Sequence, residues 1–334
     1  MERTGGFGWI ATADRWLAVA VAAFSMLLPG ATGYADPVCL VSRGTTLYRF
    51  NGGGTGGVES FPNQAGEIVG MTLVPPGVAV AGCVAGDALA VGAGDGGKFW
   101  RVDNAACGTP SLAEVGQLPG SHNVTSVAFA NGKLYGIGGG GFLREFNPVT
   151  FELVAPGIDV APGDTDIGGL TFDGESTWYA TDSASSSLYR FDELPAPLSW
   201  ELVGPAGIEF NKNGLEMHDG QLWGALRSPG SPAHLYVGRF DAGTGAFTPT
   251  WAISPALSAS VAIVVPSGAP GVRGDVNCDG SADGLDVAAF VLALTDPSLF
   301  AAQYPDCGIL AADLSGDCQV NGDDIQGFVD QLLG

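Results

Sequence analysis

The chain has 334 residues, 53 of them Gly, with 46% hydrophobic residues and a formal net charge of −22 at neutral pH. Thirteen Lys and Arg against 35 Asp and Glu exclude nucleic acid as a partner, because phosphate recognition needs a basic surface. Beyond residue 35 no apolar run is long enough to span a membrane, and the length leaves room for more than one domain.

Arg3 and Arg15 precede an apolar run from Trp16 to Leu28, followed by Pro29-Gly30 and the small-x-small triplet Gly33-Tyr34-Ala35. A charged start, an apolar core shorter than the ~20 residues of a span and small residues at a cut predict a signal peptide over 1–35. The mature chain is then expected to be secreted, extracellular or at the cell surface, where disulfides persist. Of the six cysteines, Cys83 and Cys107 are expected to pair, and Cys278 with Cys307; Cys39 and Cys318 stay unassigned. The rival reading, a zinc site, finds no CxxC spacing and no neighbouring His.

Residues 37–265 are rich in Gly, aromatics and short β-type runs, and one phrase recurs. It reads Leu47-Tyr48-Arg49-Phe50-Asn51, then Phe99-Trp100-Arg101-Val102-Asp103, and returns around Arg144, Arg190 and Arg239. A second phrase starts at Gly70, Ser126, Gly169, Gly214 and Ser260, a period of about 43–56 residues with room for four short strands each. These features predict a mainly β fold, a five-bladed β-propeller. The segment 260–264 lacks outer strands after it, and the segment 38–61 lacks an inner strand, so the two ends are expected to complete one blade together and leave no open edge. Phe151–Val154 and Trp200–Val203 read as outer strands. The array resembles secreted bacterial propellers in the style of NHL and kelch repeats.

The repeated Arg and Asp/Asn read as structural, covering blade faces and starting turns. Five-bladed propellers host glycoside hydrolases built on paired carboxylates. Here the inner-strand phrases hold one carboxylate, Glu216, while Glu67, Asp164 and Asp166 lie in loops leading to inner strands. His122, His218 and His234 show no triad or metal spacing, so no catalytic residue is assigned. Asp159, Asp164 and Asp166 read as turn residues rather than a further cation site, and Trp100, Trp178, Trp200 and Trp223 as inter-blade core rather than sugar platforms.

A short linker, 266–272, leads to an acidic tail, 273–334, with eleven Asp, no Glu and one basic residue, Arg273. Two twelve-residue loops repeat in it with an offset of 38. The first carries Asp275, Asn277, Asp279, Ser281, Asp283 and Asp286; the second carries Asp313, Ser315, Asp317, Gln319, Asn321 and Asp324. Oxygen donors at positions 1, 3, 5, 9 and 12, with a backbone carbonyl from position 7, are the spacing that wraps a chain around Ca²⁺. Each loop feeds an apolar helical pattern: Val287, Phe290, Val291 and Leu294 after the first, Ile325, Phe328, Val329 and Leu332 after the second. Two calcium sites are expected, the second weakened by Cys318 at a position that favours Gly, with the two apolar faces buried against each other. Carboxylates this dense repel one another, so folding and metal binding are expected to be coupled.

These loops resemble the bacterial dockerin type I repeat, with Asp rather than Glu at position 12. The resemblance covers about a fifth of the chain and implies a small helical, calcium-dependent docking module whose partner is a cohesin-like or cell-surface protein. Gly284-Leu285 and Gly322-Asp323 depart from the small-hydroxyl pair that dockerins present at positions 10 and 11, and the inter-repeat segment is longer. Two functions follow. One is a secreted, non-enzymatic protein with a propeller platform, open to a carbohydrate or protein ligand, and a calcium-dependent docking tail. The alternative is a secreted glycoside hydrolase of polysaccharide catabolism bearing a dockerin.

Overall fold

The structure, a computed structural model, describes residues 38–50, 58–63, 65–83, 86–93, 97–106, 108–118, 124–138, 141–154, 156–159, 166–192, 200–256, 259–266, 273–279, 281–304, 307–315 and 319–333. The expected signal peptide and most of the linker lie outside these residues, as do Cys107, His122, Asp164, Asp317 and Cys318.

Among the described residues, twenty short strands form five four-stranded antiparallel sheets. The first three are β1 (Cys39–Arg43), β2 (Thr46–Phe50) and β3 (Val58–Pro62). The next sheet is β4 (Ile68–Leu73), β5 (Ala88–Gly92), β6 (Lys98–Asp103) and β7 (Ser111–Gln117). It is followed by β8 (Val124–Ala130), β9 (Lys133–Gly138), β10 (Phe142–Phe146) and β11 (Ile158–Asp159). The fourth holds β12 (Ile167–Phe172), β13 (Thr177–Asp182), β14 (Ser187–Asp192) and β15 (Glu201–Pro205). Then come β16 (Lys212–His218), β17 (Gln221–Arg227), β18 (Ala233–Phe240) and β19 (Phe247–Ala256), and last β20 (Val261–Val264).

This is a five-bladed β-propeller. β20 pairs with β1, Leu40 opposite Val264 and Arg43 opposite Val261, so the two ends of the repeat array share one blade as the phrase order predicts. This pairing covers the edges that β1 and β20 would otherwise expose, and leaves each blade with only a short outermost edge strand. The innermost strands pack edge to edge around the axis because small residues let their backbones meet. A Cβ on Gly70 would come within 2.8 Å of the Ser126 backbone, and one on Gly214 within 2.8 Å of Ile263 N. Hydroxyls then stitch neighbouring blades: Ser126 Oγ accepts from Leu170 N at 3.2 Å, and Thr171 Oγ1 from Met217 N at 2.9 Å.

The repeated Arg fills a structural role. Arg49 is buried, its Nε donating to Glu59 directly across the β2–β3 pair at 2.7 Å, and Arg190 meets Glu201 across β14–β15 at 2.8 Å. The terminal Asn or Asp caps the turn that follows. Asn147 Oδ1 accepts from Val149 N and Thr150 N, and Asp241 Oδ1 from Gly243 N and Thr244 N. Trp178 is buried between blades, edge-on to Tyr135 at 5.2 Å and stacked on Phe191, which is core use as expected.

The third sheet corrects one expectation. Its outer strand is Ile158–Asp159, not Phe151–Val154, where only a single bridge joins Phe146 to Leu153. Phe151 takes a positive φ of 57° and turns its ring inward to stack on Phe99 at 4.3 Å, over Gly116, where any side chain would collide with the ring. Burying that ring outweighs continuing the strand. Trp200–Val203 is nearly as expected, since β15 starts one residue later.

The tail is built of a 3-10 turn (Gly284–Asp286), α1 (Val287–Thr295), α2 (Pro297–Gln303), a second 3-10 turn (Ile309–Ala312) and α3 (Asp324–Leu333). Its core is small: Val276, Ala289, Phe290, Ala293, Phe300, Ala312 and Phe328, with Phe290 and Phe328 stacked at 4.0 Å. Cys278 and Cys307 form the expected disulfide. Cys83, in contrast, is an unbonded thiol rather than half of a pair with Cys107; desolvation first, then Asp87, pushes its pKa up to about 11. The helical faces also differ from the expectation. Phe290 and Phe328 turn inward and Leu294 and Leu332 pack partly, but Val287, Val291, Ile325 and Val329 stay exposed. α1 is apolar nearly all round, so periodicity left its buried face open; the ring stack and the buried Ala289 and Ala293 choose it.

Candidate functional site

Each acidic loop is organised by the aspartate at its end. In the first, Asp286 Oδ1 accepts from Val276 N at 2.7 Å and Asn277 N at 2.9 Å, while its Oδ2 accepts from Asp283 N at 2.8 Å. In the second, Asp324 Oδ1 accepts from Ser315 N at 2.9 Å and its Oδ2 from Asn321 N at 2.8 Å. Asp283 Oδ1 takes Leu285 N at 2.8 Å, and Asn321 Oδ1 takes Asp323 N at 2.7 Å. Every partner in the second loop stands 38 residues after its counterpart. The duplication read in the sequence is therefore a duplication of hydrogen-bond frames.

Burial follows the same plan. Asp275 and Asp286, positions 1 and 12 of the first loop, are buried, and so are Asp313 and Asp324 of the second. Asn277 and Asn321 are half-buried; Asp279, Ser281, Asp283, Ser315 and Gln319 face solvent. Asp279 N donates to Asp275 Oδ1 at 3.0 Å and Asn277 Oδ1 at 2.8 Å, drawing positions 1, 3 and 5 into one tight turn. Burial alone would raise the Asp324 pKa, but the N–H groups of Asn321 and Ser315 hold it below the usual carboxylate value. The one basic residue here, Arg273, spends its Nη1 on the backbone oxygen of Asp313 at 3.0 Å. Among the described residues no three His, Cys, Asp or Glu side chains converge as a metal cage, and Asp317 lies outside those residues. The donors are all hard oxygens, which suits Ca²⁺ and not Zn²⁺.

On the propeller, the five innermost strands open into a shallow depression of about 40 Å³ around the central axis. Its lining takes Val69 from β4, Thr125 from β8, Gly168 from β12, Lys212 and Asn213 from β16 and Val261 from β20. Asp166 and Ser183 complete it, joined by a 2.7 Å bond from Ser183 Oγ to Asp166 Oδ2. At the rim Glu67 Oε1 accepts from Ser260 N at 2.6 Å, and that bond, first among its influences, lowers its pKa. The sequence singled out Glu67 and Asp166 but not Lys212, Asn213, Thr125 or Ser183. For Thr125, Lys212 and Asn213 the shared signal is a polar residue where an inner strand starts, visible only once the strands are in a ring; Ser183 instead follows the end of β13.

Glu216, the single inner-strand carboxylate, is not in this lining. It is buried, and its Oε2 has no hydrogen-bond partner. Burial holds its pKa well above the usual carboxylate value, opposed by the backbone N–H of Leu73. Glycoside hydrolysis uses a pair of carboxylates that water can reach, and Glu216 is sealed from solvent. His218 is engaged by Asp219 at 3.2 Å. No helix among the described residues is long and apolar enough to cross a membrane.

No family model matches the chain, and no curated protein matches it. Among solved structures it is similar to the WD40 domain of Toxoplasma gondii coronin, at 12% identity and a TM-score of 0.33. The match covers 65% of this chain and 56% of that one, so the chain spans a little over half the length of the solved structure.

Proposed function

We propose that the chain is an exported, non-enzymatic binding protein in which a five-bladed propeller serves as an interaction platform and the tail is a calcium-dependent docking module. The observation that carries the calcium reading is the pair of hydrogen-bond frames around Asp286 and Asp324, set 38 residues apart. Each holds an oxygen-rich loop in register and places two carboxylates out of water, an arrangement that a divalent cation relieves. Asp275, Asn277, Asp279, Asp283 and Asp286, with the Ser281 carbonyl, would hold one ion. Asp313, Ser315, Asp317, Asn321 and Asp324, with the Gln319 carbonyl, would hold the other. The ion supplies charge neutralisation, and the chain's own residues supply the frame.

Docking is supported by the apolar side chains that the helices leave outside. Val287 and Val291 on α1 have counterparts in Ile325 and Val329 on α3, again offset by 38. Exposed, matched apolar patches mark interaction surfaces, and a cohesin-like or cell-surface protein is the partner class. Calorimetric titration of the full chain with Ca²⁺ tests the metal reading. About two sites are expected, with Asp275→Asn removing one and Asp313→Asn the other, and Mg²⁺ failing to replace Ca²⁺. No calcium-dependent heat in the wild-type chain would sink it.

A further inference from the structure

The depression at the propeller axis is formed by every blade, and one of its buried groups is left without a partner. Asn213 is 4% exposed; Thr181, fully buried, donates its hydroxyl to Asn213 Oδ1 at 2.7 Å. That bond anchors one end of the amide, while Nδ2 has no hydrogen-bond partner. The amide lies over Gly168, where a Cβ would come within 2.6 Å of Oδ1 and 2.7 Å of Nδ2. The missing side chain therefore leaves space for the amide within the mouth. Buried polar groups are nearly always satisfied, so an orphaned donor in a depression points to a group that completes it.

The surrounding charges select the chemistry of that group. An anion would meet Lys212 but also Asp166 and Glu67, on a chain of net charge −22. A cation would meet the two carboxylates but face the Lys212 ammonium and the Asn213 N–H groups. A hydroxyl donates and accepts at once and carries no charge, so it serves both sets. The lining holds no aromatic ring, so recognition here runs through hydrogen-bond geometry rather than stacking, and a space this small admits a hydroxyl group rather than a whole ring.

We propose that the propeller mouth receives a hydroxyl group of a small, neutral, hydroxyl-rich ligand, with Asn213 and Lys212 as donors and Asp166 and Glu67 as acceptors. The inference deepens the reading of the propeller as a binding platform and rests on it. The test is saturation-transfer NMR and titration of the full chain with glucose, galactose, mannose, N-acetylglucosamine and myo-inositol, using alanine and acetate as zwitterionic and anionic controls. At least one polyol is expected to bind with a Kd of about 1 mM or tighter. Asn213→Ala and Gly168→Ala should each weaken it about tenfold. Lys212→Met, at an exposed side chain, should weaken it about threefold without moving the melting temperature, and so decides the matter if the buried variants misfold. The proposal is overturned by any of three results: no polyol bound at about 100 mM, binding indifferent to Lys212→Met and Asn213→Ala, or preference for alanine or acetate. If the panel fails while the chain still captures a surface partner in calcium, only this inference falls. Failure of both takes the platform reading with it.

Discussion

The propeller and the tail hold themselves together by opposite means. Among its described residues the propeller has five apolar clusters, five sheets and a β20–β1 seam that ties its two ends into one blade. Among its described residues the tail has one cluster of seven buried side chains, two carboxylates per loop removed from water and one disulfide. A core that small supplies little net stability once chain entropy is counted, so small domains lean on covalent or metal staples. The difference teaches where a ligand would matter for folding: on the proposed reading an ion would be part of the tail's structure, whereas a ligand of the propeller would only be a guest.

The comparison breaks most visibly at the tail's ring stack. Phe290→Ala or Phe328→Ala should cost about 3–5 kcal/mol and abolish the tail's thermal transition, leaving the propeller's transition in place. A single shared transition that moves as a whole would show that the two regions are one cooperative unit. Next comes the staple. Cys278→Ser with Cys307→Ser opens a link spanning 29 residues, and should lower tail stability by about 2–4 kcal/mol in denaturant while leaving the propeller's midpoint alone.

The propeller's own weak point is Glu216, and its effect runs with pH. The folded pKa is raised, so the native state binds the proton more tightly than the unfolded chain. Its contribution is fully present below the ordinary carboxylate pKa and is lost as pH rises from there towards the folded value. The slope is at most about 1.4 kcal/mol per pH unit. Glu216→Gln should therefore raise the propeller's melting temperature at neutral pH and flatten its decline above pH ~5. A variant less stable than wild type at neutral pH would mean that the carboxylate is used in its charged form.

Much of this was legible in the chain. The Arg-bearing third strand and the small-residue inner strand recur because every blade meets the same neighbours, so the blade count and the shared blade could be read from spacing. The Asp loops were legible for a similar reason, since a frame closed by Asp286 must be closed by Asp324 when the spacing is repeated. The Cys278–Cys307 link was readable as a tie between the first loop, which holds Cys278, and the inter-repeat segment, which holds Cys307. Features set by a single tertiary event were not. Phe151 leaves its strand for a pocket over Gly116 in another blade, and nothing local to 151–154 records that glycine. The buried face of α1 depends on which aromatic finds Phe328. The orphaned amide of Asn213 exists only because Thr181 and Gly168, distant in sequence, converge on it.

The central claim is that calcium folds the tail and not the propeller, and amide hydrogen exchange across the full chain, with calcium and then with EGTA, tests it most directly. The account predicts that protection in 273–333 is lost on chelation, from α1 and α3 as well as the loops, while β1 to β20 exchange unchanged. Protection in α1 and α3 that is identical in calcium and in EGTA would contradict it.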